Sequence, residues 1–354
     1  MIDLRKHRLF WPLATLLLLL ALNAAFNASF LRVTLRDGHL YGSLIDILKG
    51  GAPLALVALG MTLVIASRGI DISVGAVVAI AGGVAAWMIG GSLVIHDGVA
   101  LHVSRFPMPL AIAGALGVAL LCGAWNGALV AIVGMQPIIA TLILMVAGRG
   151  IAQLVTGGQI ITIYYEPYFF IGNGYLFGLP FPFLLALAVF AALALGMRRT
   201  ALGLFIEAVG VNPAAAHIAG LPARRITFWA YAFCGLCAGV AGLIVSSSVK
   251  SADGNNAGML MELDAILAVT VGGTPLTGGR FSLAGSLVGA LIIQTLTYAI
   301  YSLGVPPEVN LVVKASVVFA VMLLQSPEFR ATVAGWARRP SPAPAGVRST
   351  EAAR

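Results

Sequence analysis

Long apolar runs, separated by short polar or glycine-rich segments, dominate the chain from residue 10 to residue 325. Because a helix needs about 20 mostly apolar residues to cross a bilayer, each long run predicts a membrane-spanning helix. The eighth run is short and flanked by glycine, which is typical of a broken or re-entrant segment. The ten predicted segments are 10–30, 47–66, 72–91, 109–133, 137–156, 181–197, 227–248, 260–273, 285–303 and 308–325.

The composition agrees with a chain that lies mostly in a membrane. Hydrophobic residues make up 60% of the chain and charged residues only 10%, whereas soluble domains carry about 25% charged residues. The predicted fold class is therefore an all-α polytopic membrane protein of about ten transmembrane helices. Three GxxxG motifs, at Gly123–Gly127, Gly235–Gly239 and Gly285–Gly289, predict closely packed helices, although spacing alone does not say which helices touch.

Lys and Arg residues are divided unequally between the two sides of the predicted bundle. Fourteen lie on the side of both termini and five on the opposite side, so the positive-inside rule places both termini in the cytoplasm. Residues 1–330 form the predicted transmembrane domain, and the Pro- and Ala-rich segment 331–354 forms a disordered cytoplasmic tail. A cleaved signal peptide is the alternative interpretation of the first apolar run, because small residues follow it.

One predicted cytoplasmic loop, residues 198–226, has an amphipathic middle and a pair of Arg residues near each end. From Leu204 to Ala219 the pattern predicts a short helix that Pro213 interrupts. Such a helix either anchors the loop at the membrane interface or docks a cytoplasmic partner.

The sequence lacks the motifs of several functional classes. No Lys follows a glycine, so the chain has no P-loop for ATP. No His lies within a long apolar run, so Ser73 has no intramembrane base and no intramembrane metal site is expected. The basic residues form no patch interleaved with aromatic residues, which argues against a nucleic acid partner. We expect a non-enzymatic chain without a cofactor or metal of its own.

The stretch SRGIDISVG, residues 67–75, places charge and glycine between two apolar runs. A carboxylate at membrane depth is costly unless it faces a cavity or a partner, and interrupted helices there line a path or lie buried in protein. Asp71 and Ser73 are also suitable helix N-caps. We predict that Gly69, Asp71, Ser73 and Gly75 form part of a translocation path or its gate. The alternative is a capped hairpin at the surface.

A second glycine-rich junction, residues 271–289, follows Glu262 and Asp264, which are assigned to the same path. Two interrupted segments in corresponding halves of a chain predict a transporter with an inverted repeat. Three polar positions near the fourth and fifth spans complete the predicted path: Asn126, Gln136 and Thr141. Hydrogen bonding between helices is the alternative role for these three.

Three motifs, in order along the chain, resemble the permease subunits of bacterial sugar ABC importers, the ribose, xylose and galactose group. They are GMTLVIASRGIDISVGAVVAIAGG (60–83), EAVGVNPAAAHIAGL (207–221) and VGGTPLTGGRFSLAGSLVGALI (271–292). Within that family, the segments 37–66, 141–160 and 251–269 resemble the permease subunits of galactofuranose importers. Arg68 departs from the family's pattern, since a small residue is usual at that position.

The resemblance implies an importer of the bacterial inner membrane. In it, a periplasmic sugar-binding protein delivers the solute to two permease subunits embedded in lipid. A separate cytoplasmic ATP-binding subunit, which holds ATP and Mg²⁺, drives alternating access. The motif at 207–221 then couples the permease to that ATPase through five residues: Glu207, Gly210, Asn212, Ala215 and Gly220.

Two other classes of protein fit the same sequence. In an ion-driven secondary transporter, four acidic residues would carry protons or cations: Asp71, Glu262, Asp264 and Glu308. In a membrane scaffold or enzyme subunit, no solute would move. Within the transporter family another solute, such as a branched-chain amino acid, also fits. The sequence does not distinguish a permease homodimer from a pair of different chains.

Overall fold

The computed structural model describes residues 9–27, 29–36, 38–90, 92–96, 99–302, 304 and 306–325. Within this part the chain folds into thirteen α-helices, and a π-helical turn over Leu129–Val133 extends the fourth helix. The predicted tail 331–354 lies outside the described residues. The helices are α1 Phe10–Phe26, α2 Ser43–Ala66, α3 Val74–Ile89, α4 Met108–Ala128, α5 Pro137–Thr156, α6 Glu166–Asn173, α7 Phe181–Arg199, α8 Leu202–Val211, α9 Pro213–Ile218, α10 Ala223–Val249, α11 Met261–Val271, α12 Leu283–Ser302 and α13 Pro307–Gln325.

In the described part of the chain, eight short strands lie between the helices and form four antiparallel pairs. The all-α prediction missed them, because runs of two to five residues carry no readable alternation of apolar and polar positions. The pairs are β1 Thr34–Arg36 with β2 His39–Tyr41, β3 Ser92–His96 with β4 Val99–Val103, β5 Ile161–Thr162 with β8 Ser251–Ala252, and β6 Tyr175–Leu176 with β7 Leu179–Pro180.

Helices occupy all ten intervals that the apolar runs predict. Among the described residues, six helices are long and apolar enough to cross a membrane: α2, α4 with its π-helical extension, α5, α7, α10 and α12. Helices α1 and α3 are apolar but have only 17 and 16 residues. The polytopic helical fold is confirmed, whereas the count of ten crossings and the inverted repeat stay predictions.

Helix α11 is the short, glycine-flanked segment that the sequence indicates. Its 11 residues span about 16 Å, which is roughly half the hydrocarbon thickness of a bilayer. It begins after Leu260, whose φ of 62° interrupts the backbone, and the glycine-rich segment 272–282 follows it. A helix of this length does not cross the membrane alone, in agreement with the predicted broken segment.

The centre of the bundle is formed by α2, α3 and α10. Helix α10 packs against α2, α3 and α4, while α5 packs against α3. Helix α2 is buried along most of its length, whereas α7 leaves most of its surface uncovered. The uncovered apolar surface of the peripheral helices suits contact with lipid or with another membrane chain.

Glycine motifs define two close helix contacts. Gly123–Gly127 in α4 faces Gly235–Gly239 in α10, where a Cβ on Gly235 would lie only 2.6 Å from the Ala119 carbonyl oxygen. Gly285–Gly289 in α12 lies against the backbone of α11 in the same way. The close packing predicted from the motifs is confirmed, and the structure now identifies the partners: α4 with α10, and α11 with α12.

Candidate functional site

The junction between α2 and α3, residues 67–73, contains a buried polar cluster. Asp71 is 1% exposed, and its Oδ1 accepts hydrogen bonds from Ser73 N–H at 3.0 Å and Ser73 Oγ–H at 2.7 Å. Asn126 on α4 donates through Nδ2 to Asp71 Oδ1 at 3.2 Å and to Ser73 Oγ at 2.8 Å. Because a buried carboxylate is costly without donors, these bonds stabilise the junction and tie it to α4.

Two hydroxyl groups from other helices fix the backbone of the same junction. Thr141 Oγ1 on α5 accepts a hydrogen bond from Ile72 N–H at 3.2 Å, and Tyr231 Oη on α10 donates to the Ile70 carbonyl at 3.3 Å. Gly69 lies directly against Tyr231, so that a side chain there would collide with Oη. The junction is thus anchored to α4, α5 and α10 by side chains far apart in the sequence.

The predicted capping role of Asp71 and Ser73 needs correction. Ser73 occupies the N-cap position of α3, but its side chain makes no capping hydrogen bond. Instead, the Ser73 hydroxyl donates to the Asp71 carboxylate at 2.7 Å. Both side chains are buried, so the junction is not the capped surface hairpin of the alternative interpretation. Their assignment to a path or gate stays a prediction.

The second glycine-rich junction is, in the structure, the segment 272–282 between α11 and α12. It touches the first junction at one end of the bundle. Gly279 N–H donates a hydrogen bond to the Ala66 carbonyl at 2.9 Å. A Cβ on Gly278 would lie 3.1 Å from the backbone nitrogen of Arg68. Gly278 and Gly279 have φ values of 85° and 91°, which favour glycine and allow this close approach. The structure therefore joins two segments that the sequence separates by about 200 residues.

The segment predicted to couple to an ATPase forms α8 and α9, and the predicted break at Pro213 is confirmed. Asn212 caps α9, since its Oδ1 accepts hydrogen bonds from Ala214 N–H at 3.1 Å and Ala215 N–H at 3.0 Å. Pro213 is the first residue of α9, a position where its missing N–H has no cost. We call residues 202–218 the α8–α9 element.

Gly210 places the α8–α9 element against both junctions. It is buried, and a side chain there would collide with the Ala66 carbonyl oxygen and the backbone of Gly279. The element therefore packs directly on the hydrogen bond that joins the two junctions. Gly220, after α9, has a φ of 82° in open space. Glycine suits both positions, since Gly210 makes close backbone contact and Gly220 lies in a turn. The role of both residues in ATPase coupling stays a prediction.

The α8–α9 element also exposes apolar side chains. Leu204 and Val211 are each 68% exposed, and Ile218 is 88% exposed. Ala215 is exposed as well, while Glu207 is half-buried. A group of exposed apolar side chains on short helices is typical of a surface that contacts another protein or lipid.

The remaining residues of the predicted path lie apart from the Asp71 cluster. Glu262 on α11 is buried, and its Oε2 lies against Gly75 on α3. Asp264 forms an ion pair with Lys314 on α13 at 2.5 Å. Gln136 is exposed just before α5. The structure therefore groups four predicted residues at the first junction: Asp71, Ser73, Asn126 and Thr141. It places Glu262, Asp264 and Gln136 elsewhere.

Sequence reasoning missed two polar residues of the interior, Tyr231 and Arg149. Tyr231 carried no signal, because its contact with the first junction depends on how α10 packs. Arg149 did carry one, since a cation inside a predicted span is expected to face a cavity or a partner. It lines a cavity together with Glu262.

Comparisons with known proteins identify a family and several related permeases. Residues 43–322 match the family described as branched-chain amino acid transport system / permease component. The galactofuranose transporter permease protein YtfT of Escherichia coli is 49% identical over 335 residues, which cover 93% of this chain and 94% of that protein. The fructose import permease protein FruF of Bifidobacterium longum is 38% identical over 342 residues, covering 95% and 92%. The ribose import permease protein RbsC of Escherichia coli is 34% identical over 318 residues, covering 89% and 92%. No solved structure matches the chain.

The helical bundle and these similarities define a membrane permease, the transport component of a larger system. More particularly, the chain belongs to the branched-chain amino acid transport system / permease component family. Sugar-import permeases align with it over almost the whole of both chains, so the resemblance to sugar ABC importer permeases is confirmed.

Proposed function

We propose that the chain is the membrane-spanning permease subunit of an ATP-driven, binding-protein-dependent importer of a monosaccharide, galactofuranose or a similar sugar. Its partners are a cytoplasmic ATP-binding subunit that holds ATP and Mg²⁺, a second permease subunit and a periplasmic sugar-binding protein. The complex resides in the bacterial inner membrane, with both termini of this chain in the cytoplasm. Identity of 49% to a galactofuranose permease supports this choice of sugar.

The packing of the α8–α9 element carries the proposal. The element exposes apolar side chains to a partner and also packs, through Gly210, on the hydrogen bond between the two junctions. A displacement of this element by a cytoplasmic ATPase would therefore act on both junctions directly, with no other described helix or loop between them. The α8–α9 element lies between the proposed ATPase and the two junctions. Its movement could therefore rotate the helices on either side of the junctions relative to each other.

The two junctions pass that displacement to different helices. The first, 67–73, is hydrogen-bonded to α4, α5 and α10. The second, 272–282, connects α11 to α12, which pack closely along a glycine seam. Movement of the α8–α9 element would shift these two groups of helices relative to each other and alternate access to a path between them.

The ATPase surface is tested by two charge substitutions, Ile218→Asp and Leu204→Asp, in the complex purified in mild detergent. Both side chains are exposed, so each substitution is expected to leave the melting temperature of the permease unchanged. Each is expected to remove most of the co-purifying ATP-binding subunit, because a buried unpaired charge opposes docking. Phe177→Asp is the matched control, since Phe177 is 91% exposed in the β6–β7 turn. Full retention of the ATPase in Ile218→Asp and Leu204→Asp would contradict the proposal.

Transmission is tested separately at Gly210. Gly210→Trp is expected to abolish sugar-dependent ATPase activity, because the side chain forces the α8–α9 element away from Ala66 and Gly279. Glu207→Lys is expected to have a similar effect by reversing a charge on the element. Gly117→Trp on α4 is the control, because a side chain there enters open space. Normal sugar-dependent ATPase activity in both test variants would show that this element does not couple the permease to the ATPase.

A further inference from the structure

A cavity of about 510 Å³ lies beside α3, α5 and α11, next to the loop that follows β8. Its volume lies within the range of small-molecule sites, about 300–1,000 Å³. Part of the wall is apolar, and the rest carries polar groups inside or beside predicted spans, which normally face water or a partner. The apolar part is formed by Ala76, Met145, Val146, Met259 and Leu260.

Arg149 supplies hydrogen-bond donors to this cavity. Its Nη1 donates to the Ala257 carbonyl at 2.7 Å and is 3.4 Å from the Gly254 carbonyl. These contacts hold the guanidinium against the loop after β8. They leave the Nε and Nη2 donors of Arg149 without a hydrogen-bonding partner among the described residues. A guanidinium fixed on one edge presents its other donors in a defined geometry.

Gln153 and Asn255 contribute uncharged groups to the same cavity. Gln153 Nε2 donates to Asn255 Oδ1 at 2.8 Å, and Asn255 N–H donates to Asp253 Oδ1 at 2.8 Å. Burial alone would raise the pKa of Asp253, but hydrogen bonds from Asn256 and Asn255 outweigh it and hold that pKa below its usual range. The loop is therefore an ordered turn, and its amides are positioned rather than free to rotate.

The acceptors in the cavity come from Glu262 and Gln153. Glu262 is 4% exposed and lines the cavity from α11. One cation, one acidic side chain and two amides, opposite an apolar wall, match a solute with several vicinal hydroxyl groups, since each hydroxyl both donates and accepts. The set is poorly suited to an anion or a cation, because each would meet a group of its own sign.

We propose that this cavity, bounded by Arg149, Gln153, Asn255 and Glu262, is the subsite that receives the neutral polyhydroxylated solute from the outer side. The inference rests on the proposed function and adds to it the residues that contact the solute. It places solute recognition near the β8–α11 loop and assigns the Asp71 cluster to holding a junction.

Gly150 provides a probe that does not disturb packing. It lines the cavity on α5, and a Cβ there would meet no atom of the described residues within 4 Å. Gly117 on α4 is also a helical glycine with open space around it, but it does not line the cavity. The pair allows the same substitution to be compared inside the cavity and outside it.

The decisive experiment uses Gly150→Cys in cells that contain the complete importer. The thiol is reacted with a charged, membrane-impermeant methanethiosulfonate reagent, alone or with D-galactose, D-fructose, D-ribose or L-leucine. Labelling is expected at Gly150→Cys, with slowing of about tenfold by whichever sugar the wild-type cells import, because bound solute occludes the thiol. Gly117→Cys is expected to remain unlabelled. Wild-type protein, with Cys122, Cys234 and Cys237, gives the background.

The outcomes separate the inference from the proposed function. Labelling without protection by the imported sugar, or no labelling at all, would overturn the subsite while leaving the importer intact. Protection by leucine and not by a sugar would overturn the proposed class of solute. Failure of wild-type cells to import any of the three sugars, whatever the labelling, would count against the proposed function itself.

Uptake kinetics give a second readout. Gly150→Leu fills the cavity and is expected to lower the initial rate of uptake of that sugar by about tenfold or more, whereas Gly117→Leu stays within about twofold of wild type. Gln153→Ala removes one positioned amide and is expected to raise KM with little change in maximal rate. Equal uptake by Gly150→Leu and Gly117→Leu would contradict the subsite.

Discussion

Asp71 shows how much of a residue's role depends on its partners. Its carboxylate is buried, and among the described residues no Lys, Arg or His lies within ion-pair distance of it. Three hydrogen bonds from Ser73 and Asn126 converge on Oδ1 instead. Asn126 Oδ1 has no hydrogen-bonding partner among the described atoms. The cluster is therefore supported by donors to one oxygen, and removal of that oxygen affects two helices at once.

We expect Asp71→Ala to destabilise the permease and Asp71→Asn to do so much less. The alanine leaves the Ser73 N–H and Oγ–H without this acceptor, at a cost of about 1–3 kcal/mol for each buried donor, and the Asn126 amide keeps only its bond to Ser73 Oγ. The asparagine keeps an acceptor at the Oδ1 position. Thermal unfolding of the purified protein in detergent measures the difference.

Sugar uptake by the same two variants tests the predicted gate. Loss of uptake in Asp71→Asn, with a normal melting temperature, would indicate that the charge itself takes part in transport. Normal stability of Asp71→Ala would show that the hydrogen bonds at this junction contribute little. Normal uptake and expression in both variants would remove Asp71 from the path and the gate.

At the scale of elements, glycine seams decide which helices pack. The α4–α10 contact brings Gly235 within van der Waals distance of Gly123, and α10 in turn supplies Tyr231 to the first junction. Close backbone approach of this kind adds dispersion and weak hydrogen bonding where the hydrophobic effect is absent between helices in lipid. The seam therefore positions the junction as well as stabilising the bundle.

We expect Gly235→Leu to lower the melting temperature strongly, because its side chain collides with the Ala119 carbonyl and with Gly123. Overpacking of a close contact costs about 1–3 kcal/mol or more. Gly117→Leu on the same pair of helices enters open space and is expected to leave the melting temperature close to wild type. A similar melting temperature for both variants would show that the seam relaxes readily.

At the scale of the whole molecule, the acidic residues bear on the source of energy. Asp264 is neutralised by Lys314 at 2.5 Å, and Asp71 is enclosed by donors. Neither is placed as a free carrier in the described part of the chain, while Glu262 lines a cavity. Asp71 and Asp264 are therefore poorly placed as proton or cation carriers, and Glu262 is the described acidic residue to test for that role.

We expect uptake in whole cells to stop when ATP is depleted by arsenate. We also expect it to persist under a protonophore when glycolysis maintains ATP, because the proposed importer takes its energy from an ATP-binding subunit. Initial rates of uptake of labelled sugar, with ATP measured in parallel, distinguish the two. Loss of uptake under the protonophore at normal ATP would favour the ion-driven alternative.

The sequence by itself determined the elements that local composition controls. Apolar runs of membrane length, such as 47–66 and 137–156, coincide with α2 and α5 because transfer of a helix into lipid depends on its own residues. The break at Pro213 and the short α11 followed from local backbone chemistry. The ordered motifs were enough to indicate the family.

Only the tertiary structure decided which residues share a site. Asp71 meets Asn126, and Gly210 meets Ala66 and Gly279, across separations that no periodicity encodes. Many small residues in this chain allow close contact, so spacing alone does not select one partner among several helices. Short strands such as β5 and β8 depend on the same distant pairing. The fold class was therefore readable from local hydrophobicity, while the candidate sites depend on how the helices pack.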